Sequence, residues 1–151
     1  MLPGMPLFHQ GAYCLVITKI LHNIPQASDA TGLDISQANA GIGNVTINAK
    51  GNVTGSGVIT GTNLLVNTTG APSGSGAITL NNAFNDVGNI VLQSANNQNI
   101  SYTDTNVVNI NLANAGTGNV TVNAQGNVTG LGVITADKST SFIGVCSFFN
   151  S

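Results

Sequence analysis

A 75-residue internal duplication constrains this chain more than any other feature of its sequence. Residues 29–61 read DATGLDISQANAGIGNVTINAKGNVTGSGVITG, and residues 104–136 read DTNVVNINLANAGTGNVTVNAQGNVTGLGVITA. The two tracts are identical at 21 of 33 aligned positions, and the shared pattern is ANAG-x-GNVT-x-NA-x-GNVTG-x-GVIT. Duplication of this kind is typical of repeat architectures, in which similar units stack and bury a continuous core.

A finer period runs within the duplication, as pairs of apolar residues at alternate positions. From Ile90 onward the pairs begin ten residues apart. Because strand side chains alternate between two faces, each pair predicts a short strand with one buried face. Gly, Asn and Asp, which favour turns, separate the pairs. The predicted core consists of Val45, Ile47, Ile78, Leu80, Ile90, Leu92, Ile100, Ile110, Leu112, Val120 and Val122.

Short strands at even spacing are compatible with several architectures. A sandwich or closed barrel usually has longer strands and no long identical repeat. A propeller blade needs about 40–45 residues, which the 75-residue unit does not match. Coils of about 20–25 residues fit best. We therefore predict an all-β chain that forms a right-handed parallel β-helix of about four or five coils, with stacked Asn side chains in amide ladders.

The duplication divides the chain into three parts. Residues 1–28 are a non-repetitive leader or cap, residues 29–138 are the β-helical repeat region, and residues 139–151 are a non-repetitive tail. The flanks are either evolved caps over the open ends of the solenoid or foreign sequence beside a broken repeat. The leading part makes a poor signal peptide, since no positive residue precedes its short apolar run.

Two further features of the flanks lead to expectations. Apolar residues from Val16 to Ile24 fall at helical spacing before Pro25, which predicts a short helix there. Cys14 and Cys146 lie outside the repeats, and their spacing is open to one disulfide or to two free thiols.

The tract from Ala83 to Ala136 resembles the filamentous haemagglutinin-type repeats of bacterial two-partner-secretion exoproteins. The matching elements are Phe84-Asn85-Asp86, Thr103-Asp104-Thr105-Asn106 and Gly118-Asn119-Val120-Thr121-Val122. The resemblance extends over roughly residues 29–136, but the long amino-terminal secretion domain and the Asn-Pro motifs of that family have no counterpart here.

Membership of that family would imply a segment of a very large parallel β-helix. Such a protein is exported through an outer-membrane transporter and is secreted or displayed on the bacterial surface. The implied role is adhesive, with a host-cell or surface glycan or receptor as the partner. We therefore expect this chain to be a fragment of a larger adhesin.

The residues that carry chemistry in most enzymes are scarce in the repeat region. His9 and His22 precede it, so it cannot form a Ser-His-Asp or Cys-His arrangement. Asp29 and Asp104 are repeat equivalents, which favours a turn role, whereas Asp86 and Asp104 are 18 residues apart and could stack as a carboxylate pair. We give the turn role more weight and expect no enzyme, no cofactor and no metal site.

Charge excludes two classes of partner. The net charge is −2, and Lys19, Lys50 and Lys138 are far apart. A nucleic-acid binder needs clustered basic residues that displace counterions, and so does a polybasic membrane anchor. The apolar run at residues 11–21 is too short to span a bilayer.

The leading hypothesis is therefore a structural and adhesive module, a rigid rod that displays polar loops. The alternatives are a carbohydrate-active β-helix of lyase or tail-spike type, an ice-binding solenoid, and a gene remnant without a function of its own. The ice-binding alternative needs a flat, regular array of threonines. The candidates for it are Thr46, Thr54, Thr60, Thr121, Thr129 and Thr135.

Overall fold

Parallel β-strands make up the regular structure of the computed structural model, which describes residues 13–17, 32–130, 132–137 and 140–146. The strands wind into a β-solenoid of about 5 turns, which confirms the predicted all-β parallel β-helix. The described residues contain no helix, and so none that is long and apolar enough to cross a membrane. The strands are β1 (Tyr13–Ile17), β2 (Leu33–Asn39), β3 (Asn44–Asn48), β4 (Val53–Thr54), β5 (Ile59–Asn67), β6 (Ile78–Leu80), β7 (Asp86–Gln93), β8 (Ile100–Asp104), β9 (Val108–Asn114), β10 (Val120–Thr129), β11 (Val133–Thr135) and β12 (Thr140–Cys146).

Each coil has three faces, which we define by the strands that stack on them. The first face holds β1, the start of β2, β4, β6, β8, the start of β10, and β12. The third face holds β3, the later parts of β5, β7 and β9, and β11. A short second face joins the two, where Ala38 pairs with Ile59 and Val108 pairs with Val128.

The coils are close to the predicted length. Successive first-face partners are Leu33, Val53, Ile78, Ile100 and Val120, which gives coils of 20, 25, 22 and 20 residues. A 20-residue coil with one strand on the first face and one on the third places a strand about every ten residues. This division explains the ten-residue period in the sequence.

The longest coil carries an extra loop over residues 69–76, and the next coil holds that loop in place. Asn96 has a positive φ of 52°, a conformation that Asn tolerates better than most residues. Its Nδ2 lies 3.1 Å from the carbonyl oxygen of Ala71, 2.7 Å from that of Pro72 and 3.0 Å from that of Ser75. One side-chain amide therefore fixes the insertion against the coil stack.

Both flanks contain strands. Val16 and Ile17 belong to β1, so the prediction of a helix that begins at Val16 is wrong at these two residues. Apolar residues at close spacing suit a strand as well as a helix, and here pairing with β2 decides between them. The rest of that predicted helix, residues 18–24, lies outside the described residues. At the other end, Thr140 pairs with Val120 one coil earlier.

The two cysteines lie at opposite ends of the coil stack. Cys14 pairs with Asp34, and the same register continues over six pairings to Ser141 in the strand that contains Cys146. Six spacings of about 4.8 Å amount to about 29 Å. A disulfide needs Cα atoms about 4.4–6.8 Å apart, so the two cysteines cannot pair within one chain.

The core consists of columns of apolar side chains, one from each coil. All predicted core residues except Leu112 are 2 % exposed or less, and each contributes roughly 1.5–3 kcal/mol when fully buried. Leu112 is half-buried and Ala113 takes the core position. A bulge at Asn111 is the cause, because Ile90 pairs with Ile110 whereas Val91 pairs with Leu112. One extra residue reverses the alternation that follows it.

The two copies of the duplicated tract occupy different faces of the solenoid. Val45 and Ile47 lie in β3 on the third face, whereas Val120 and Val122 lie in β10 on the first face. The 75-residue repeat is therefore not a whole number of coils. The shared tract specifies a short strand and its turn, and this unit forms on either face.

Candidate functional site

A ladder of asparagine amides runs along the start of the third face. Asn63 Nδ2 donates to Asn44 Oδ1 at 2.6 Å, Asn89 Nδ2 to Asn63 Oδ1 at 3.0 Å, and Asn109 Nδ2 to Asn89 Oδ1 at 3.0 Å. Four successive coils contribute one residue each. This arrangement is the amide ladder that the Asn-rich sequence predicts, and it forms only when the coils are stacked in register.

A column of hydroxyl groups runs along the outside of the first face. Its members are Thr54, Thr79, Ser101, Thr121 and Ser141, which pair in this order through successive strands. Asp34 begins the column, and its carboxylate accepts hydrogen bonds from Thr54 Oγ1 at 3.0 Å and Ser56 Oγ at 2.9 Å. The hydroxyl groups are spaced at about 4.8 Å, the distance between paired strands.

An apolar column occupies the outside of the third face, and we call it the third-face stripe. It consists of Leu65, Val91, Leu112 and Val133, paired in this order. Leu65 is 36 % exposed and Val133 is 64 % exposed. The amide ladder lies on one side of the stripe. A second polar column lies on the other side and consists of Asn48, Asn67, Gln93 and Asn114.

The third face carries a shallow groove between the ladder and the stripe. The groove has a volume of about 230 Å³, with Asn44, Asn63 and Asn89 on one side and Leu65 and Val91 on the other. Pockets for drug-sized ligands are larger, about 300–1,000 Å³. The groove therefore matches one side chain or one sugar-sized unit. Among the described strands, no outward-facing residue of this face is charged.

A buried polar cluster lies inside the solenoid at the turn between the first and second faces. Asp104 is fully buried, and Tyr102 beside it is fully buried as well. Tyr102 Oη donates to Asp104 Oδ2 at 2.6 Å, and the backbone N–H of Val87 donates to the same oxygen at 3.0 Å. The N–H of Asn106 donates to Asp104 Oδ1 at 2.8 Å. Three donors thus compensate the carboxylate for its lost water.

Asn85 completes this cluster from the neighbouring coil. Its side chain accepts from the N–H of Ile59 at 2.9 Å and donates to the carbonyl oxygens of Leu80 and Thr103 at 3.1 and 3.0 Å. At 1 % exposure, its side chain is fully buried. Because every polar atom of its amide is paired, the cluster stabilises one coil register.

Burial controls the titration of this cluster. Desolvation raises the pKa of Asp104 above its usual range, although the hydrogen bonds from Tyr102, Asn106 and Val87 act in the opposite direction. Desolvation also raises the pKa of the Tyr102 hydroxyl, and the negative charge of Asp104 adds to the effect. The tyrosine therefore remains a hydrogen-bond donor at neutral pH.

The two carboxylates of the candidate pair are near enough that the negative charge of Asp86 adds to desolvation in raising the pKa of Asp104, but they lie in different environments. Asp86 is exposed, where its Oδ1 accepts from Asn106 Nδ2 at 3.0 Å, whereas Asp104 is buried beneath the turn. A buried carboxylate that already accepts three hydrogen bonds has no route to a substrate in this conformation. The turn role predicted for Asp104 matches its bond to the N–H two residues later.

The other candidates for chemistry remain dispersed or lie outside the description. His9, His22 and Asp29 are beyond the described residues. Asp137 is exposed near the last strand of the third face. Within the part of the chain that the structure describes, no three His, Cys, Asp or Glu side chains cluster as metal ligands.

Sequence reasoning missed two features of this surface and core. The apolar stripe could have been predicted from two runs of three apolar residues, Leu64-Leu65-Val66 and Ile90-Val91-Leu92, because strict alternation would place a polar residue in the middle of each. The buried Asn85 and Asp104 carry no such signal, because Asn and Asp also serve in exposed turns.

The coil stack, its buried columns and its periodic outer surface define a β-solenoid repeat protein. Over residues 22–94 the chain is similar to a family described as repeats of unknown function (DUF5649). That stretch includes strands β2 to β7. No curated protein and no solved structure matches the chain.

Proposed function

We propose that this chain is a structural and adhesive β-helical segment of a large secreted or surface-displayed bacterial protein. The observation that carries the proposal is the periodic outer surface, on which uncharged amides and hydroxyls repeat at every coil in register. Such a rod presents the same polar groups many times along its length. Repeated weak contacts to a repetitive partner then add up to strong attachment.

The chemistry of the surface favours a neutral, hydroxyl-rich partner. Apart from Asp34 at the start of the hydroxyl column, this column and the amide ladder offer uncharged hydrogen-bond donors and acceptors. A strongly anionic partner would require clustered cations, and among the residues that the structure describes Lys50 is the one lysine or arginine. We therefore propose a surface glycan as the ligand class, with a glycan-bearing receptor as one form of it.

The resemblance to filamentous haemagglutinin-type repeats supports the same proposal. It implies export through an outer-membrane transporter and a role on the cell surface or in the medium. We propose this route and location for the parent protein, and we propose no catalytic role for the segment. The similarity to repeats of unknown function is consistent with a repeat array and adds no activity.

A binding experiment tests this function. The full chain would be immobilised and probed with neutral and acidic polysaccharides and with intact host cells. We expect saturable retention by one neutral glycan, with loss of retention in the double variant Thr79→Val and Thr121→Val, which removes two hydroxyl groups at nearly constant shape. The matched control is Thr135→Val on the third face. Equal retention of both variants, or retention of acidic glycans only, would contradict the proposal.

An ice-binding role is a second candidate because of the hydroxyl column. Thr79, Ser101 and Thr121 are stacked in register on one face, which is more regular than their spacing in the sequence suggests. However, the hydroxyl groups form a single column and not an array, because the neighbouring positions include Asn81 and Asn123. Thermal hysteresis of the chain, abolished by the same Thr79→Val and Thr121→Val substitutions, would favour this candidate over glycan binding.

A further inference from the structure

The third-face stripe is an apolar column, partly exposed and continuous over four coils, on the outer surface of the solenoid. Leu65, Val91, Leu112 and Val133 follow one another on four coils. Contiguous exposed apolar side chains with a polar border mark interaction sites on soluble proteins. Here the border consists of the amide ladder on one side and of the second polar column on the other.

The repeat of the stripe matches that of a second copy of the chain. Its contacts recur at the strand spacing of about 4.8 Å. Another stack of parallel coils has this repeat by construction, so each position of the stripe can meet an equivalent position on the partner. The four positions span three spacings, about 14 Å, and every further coil extends the match.

The chemistry of the face is also self-complementary. Because no outward residue on it is charged within the described strands, two copies meet without like-charge repulsion. In either orientation of the second rod, stripe faces stripe and amide columns face amide columns. The groove of about 230 Å³ beside Leu65 and Val91 can take up a partner side chain, as in the dry packing between paired sheets.

We propose that the third face is a lateral contact between two copies of this chain, which pairs the rods side by side. This inference goes beyond the adhesive function and does not depend on it. The face has five strands. At about 4.8 Å per strand and a width of about 16 Å for five residues, it presents a contact area of about 390 Å² per copy. The total of about 800 Å² is below the 1,200–2,000 Å² of stable complexes, so the contact is weak for this chain and strengthens with each added coil.

Sedimentation of the full chain from micromolar to millimolar concentration tests the proposal. We expect a reversible monomer–dimer equilibrium that shifts to monomer in the double variant Leu65→Thr and Val91→Thr. Threonine keeps the β-branched shape of Val91 and favours strands at both positions, while it removes the apolar contact. The matched control, Thr54→Val and Thr79→Val on the first face, should leave the dimer unchanged. A wild-type chain that stays monomeric at millimolar concentration, or a dimer that persists in the stripe variant, would overturn the proposal.

A crosslinking experiment gives an independent result if the double variant fails to fold. The variant Val91→Cys and, as a control, the variant Ser101→Cys would each be made in a chain that carries Cys14→Ser and Cys146→Ser. Oxidation should give a disulfide dimer at position 91 and little at position 101. Equal yields would show random collision and refute the contact. Chemical-shift changes at Leu65 and Val91 that occur only with a neutral polysaccharide, in a monomeric chain, would assign the face to a glycan instead.

Discussion

Removal of the Tyr102 hydroxyl in the variant Tyr102→Phe tests whether the solenoid contains a charged carboxylate. The hydroxyl donates to Asp104 Oδ2 at 2.6 Å, and both side chains are fully buried. Without it, the carboxylate retains the N–H donors of Val87 and Asn106 and receives no water in exchange. A hydrogen bond to a charged group contributes about 1.5–3 kcal/mol, so we expect a loss of about 2 kcal/mol in the free energy of unfolding at pH 7.

The pH dependence of this loss has a definite sign. The pKa of folded Asp104 is raised by desolvation, so proton uptake stabilises the fold below the unfolded pKa of about 3.9, and this stabilisation disappears as the pH rises through the folded pKa. The bond from Tyr102 lowers the folded pKa. Without that bond the folded pKa rises further and the neutral-pH fold loses more stability. Tyr102→Phe should therefore be more destabilising at pH 7 than at a pH below about 3.9.

Urea unfolding and thermal unfolding at both pH values measure this difference. For a chain of this size, about 2 kcal/mol corresponds to a decrease in Tm of about 4–8 °C. The control is Thr68→Val, because Thr68 is also fully buried and its hydroxyl donates to the carbonyl oxygen of Gly76 at 2.6 Å, with no titratable partner. The loss in the control should not depend on pH. An equal loss for Tyr102→Phe at both pH values would refute a charged Asp104.

Three further outcomes are expected. Gly57→Ala places a Cβ against the backbone carbonyl of Ser36 and should lower the free energy of unfolding by more than about 3 kcal/mol. In the control Gly70→Ala the new atom would meet only a Lys side chain at 3.8 Å, so its Tm should change little. Similar Tm values for both variants would contradict the close approach of the coils at Gly57. Asn96→Ala removes the donor to three carbonyls of the 69–76 loop and should increase proteolysis there, which limited digestion and mass spectrometry would detect. The chain should not cleave pectin, hyaluronan or another acidic glycan in a reducing-end assay, and cleavage that Asp86→Ala abolishes would refute this prediction.

Much of the fold follows from sequence because two local rules agree. Alternation predicts which side chains of a strand face inward, and Val45 and Val120 obey it although they lie on different faces. The duplication predicts stacking. Leu112 does not follow the alternation because a bulge inserts one residue into the strand, and nothing in the residues around Asn111 marks which of them is extra.

The candidate site is harder to predict because it depends on long-range register. The hydroxyl column joins Thr79, Ser101 and Thr121, which are 22 and 20 residues apart. An error of one residue in either coil length would place one of them in the core. The loop at residues 69–76 adds residues to a single coil, so alignment by a constant period fails there. Only the pairing of strands fixes which hydroxyls and amides meet on the surface.

The position of the two repeat copies shows what the shared tract encodes. Gly57 and Gly132 are equivalents in the duplication, and each lies against the carbonyl of an equivalent residue, Ser36 or Asn111, one coil earlier. The local contact is thus identical in both copies while the face differs. A strand, a turn and a close approach to the previous coil can therefore form on any face of the solenoid. Such units can be added in steps that are not whole coils, because each needs only the neighbour on which it stacks. Lengthening of the rod therefore needs no redesign of the core, and it extends the outer columns by one position with each coil.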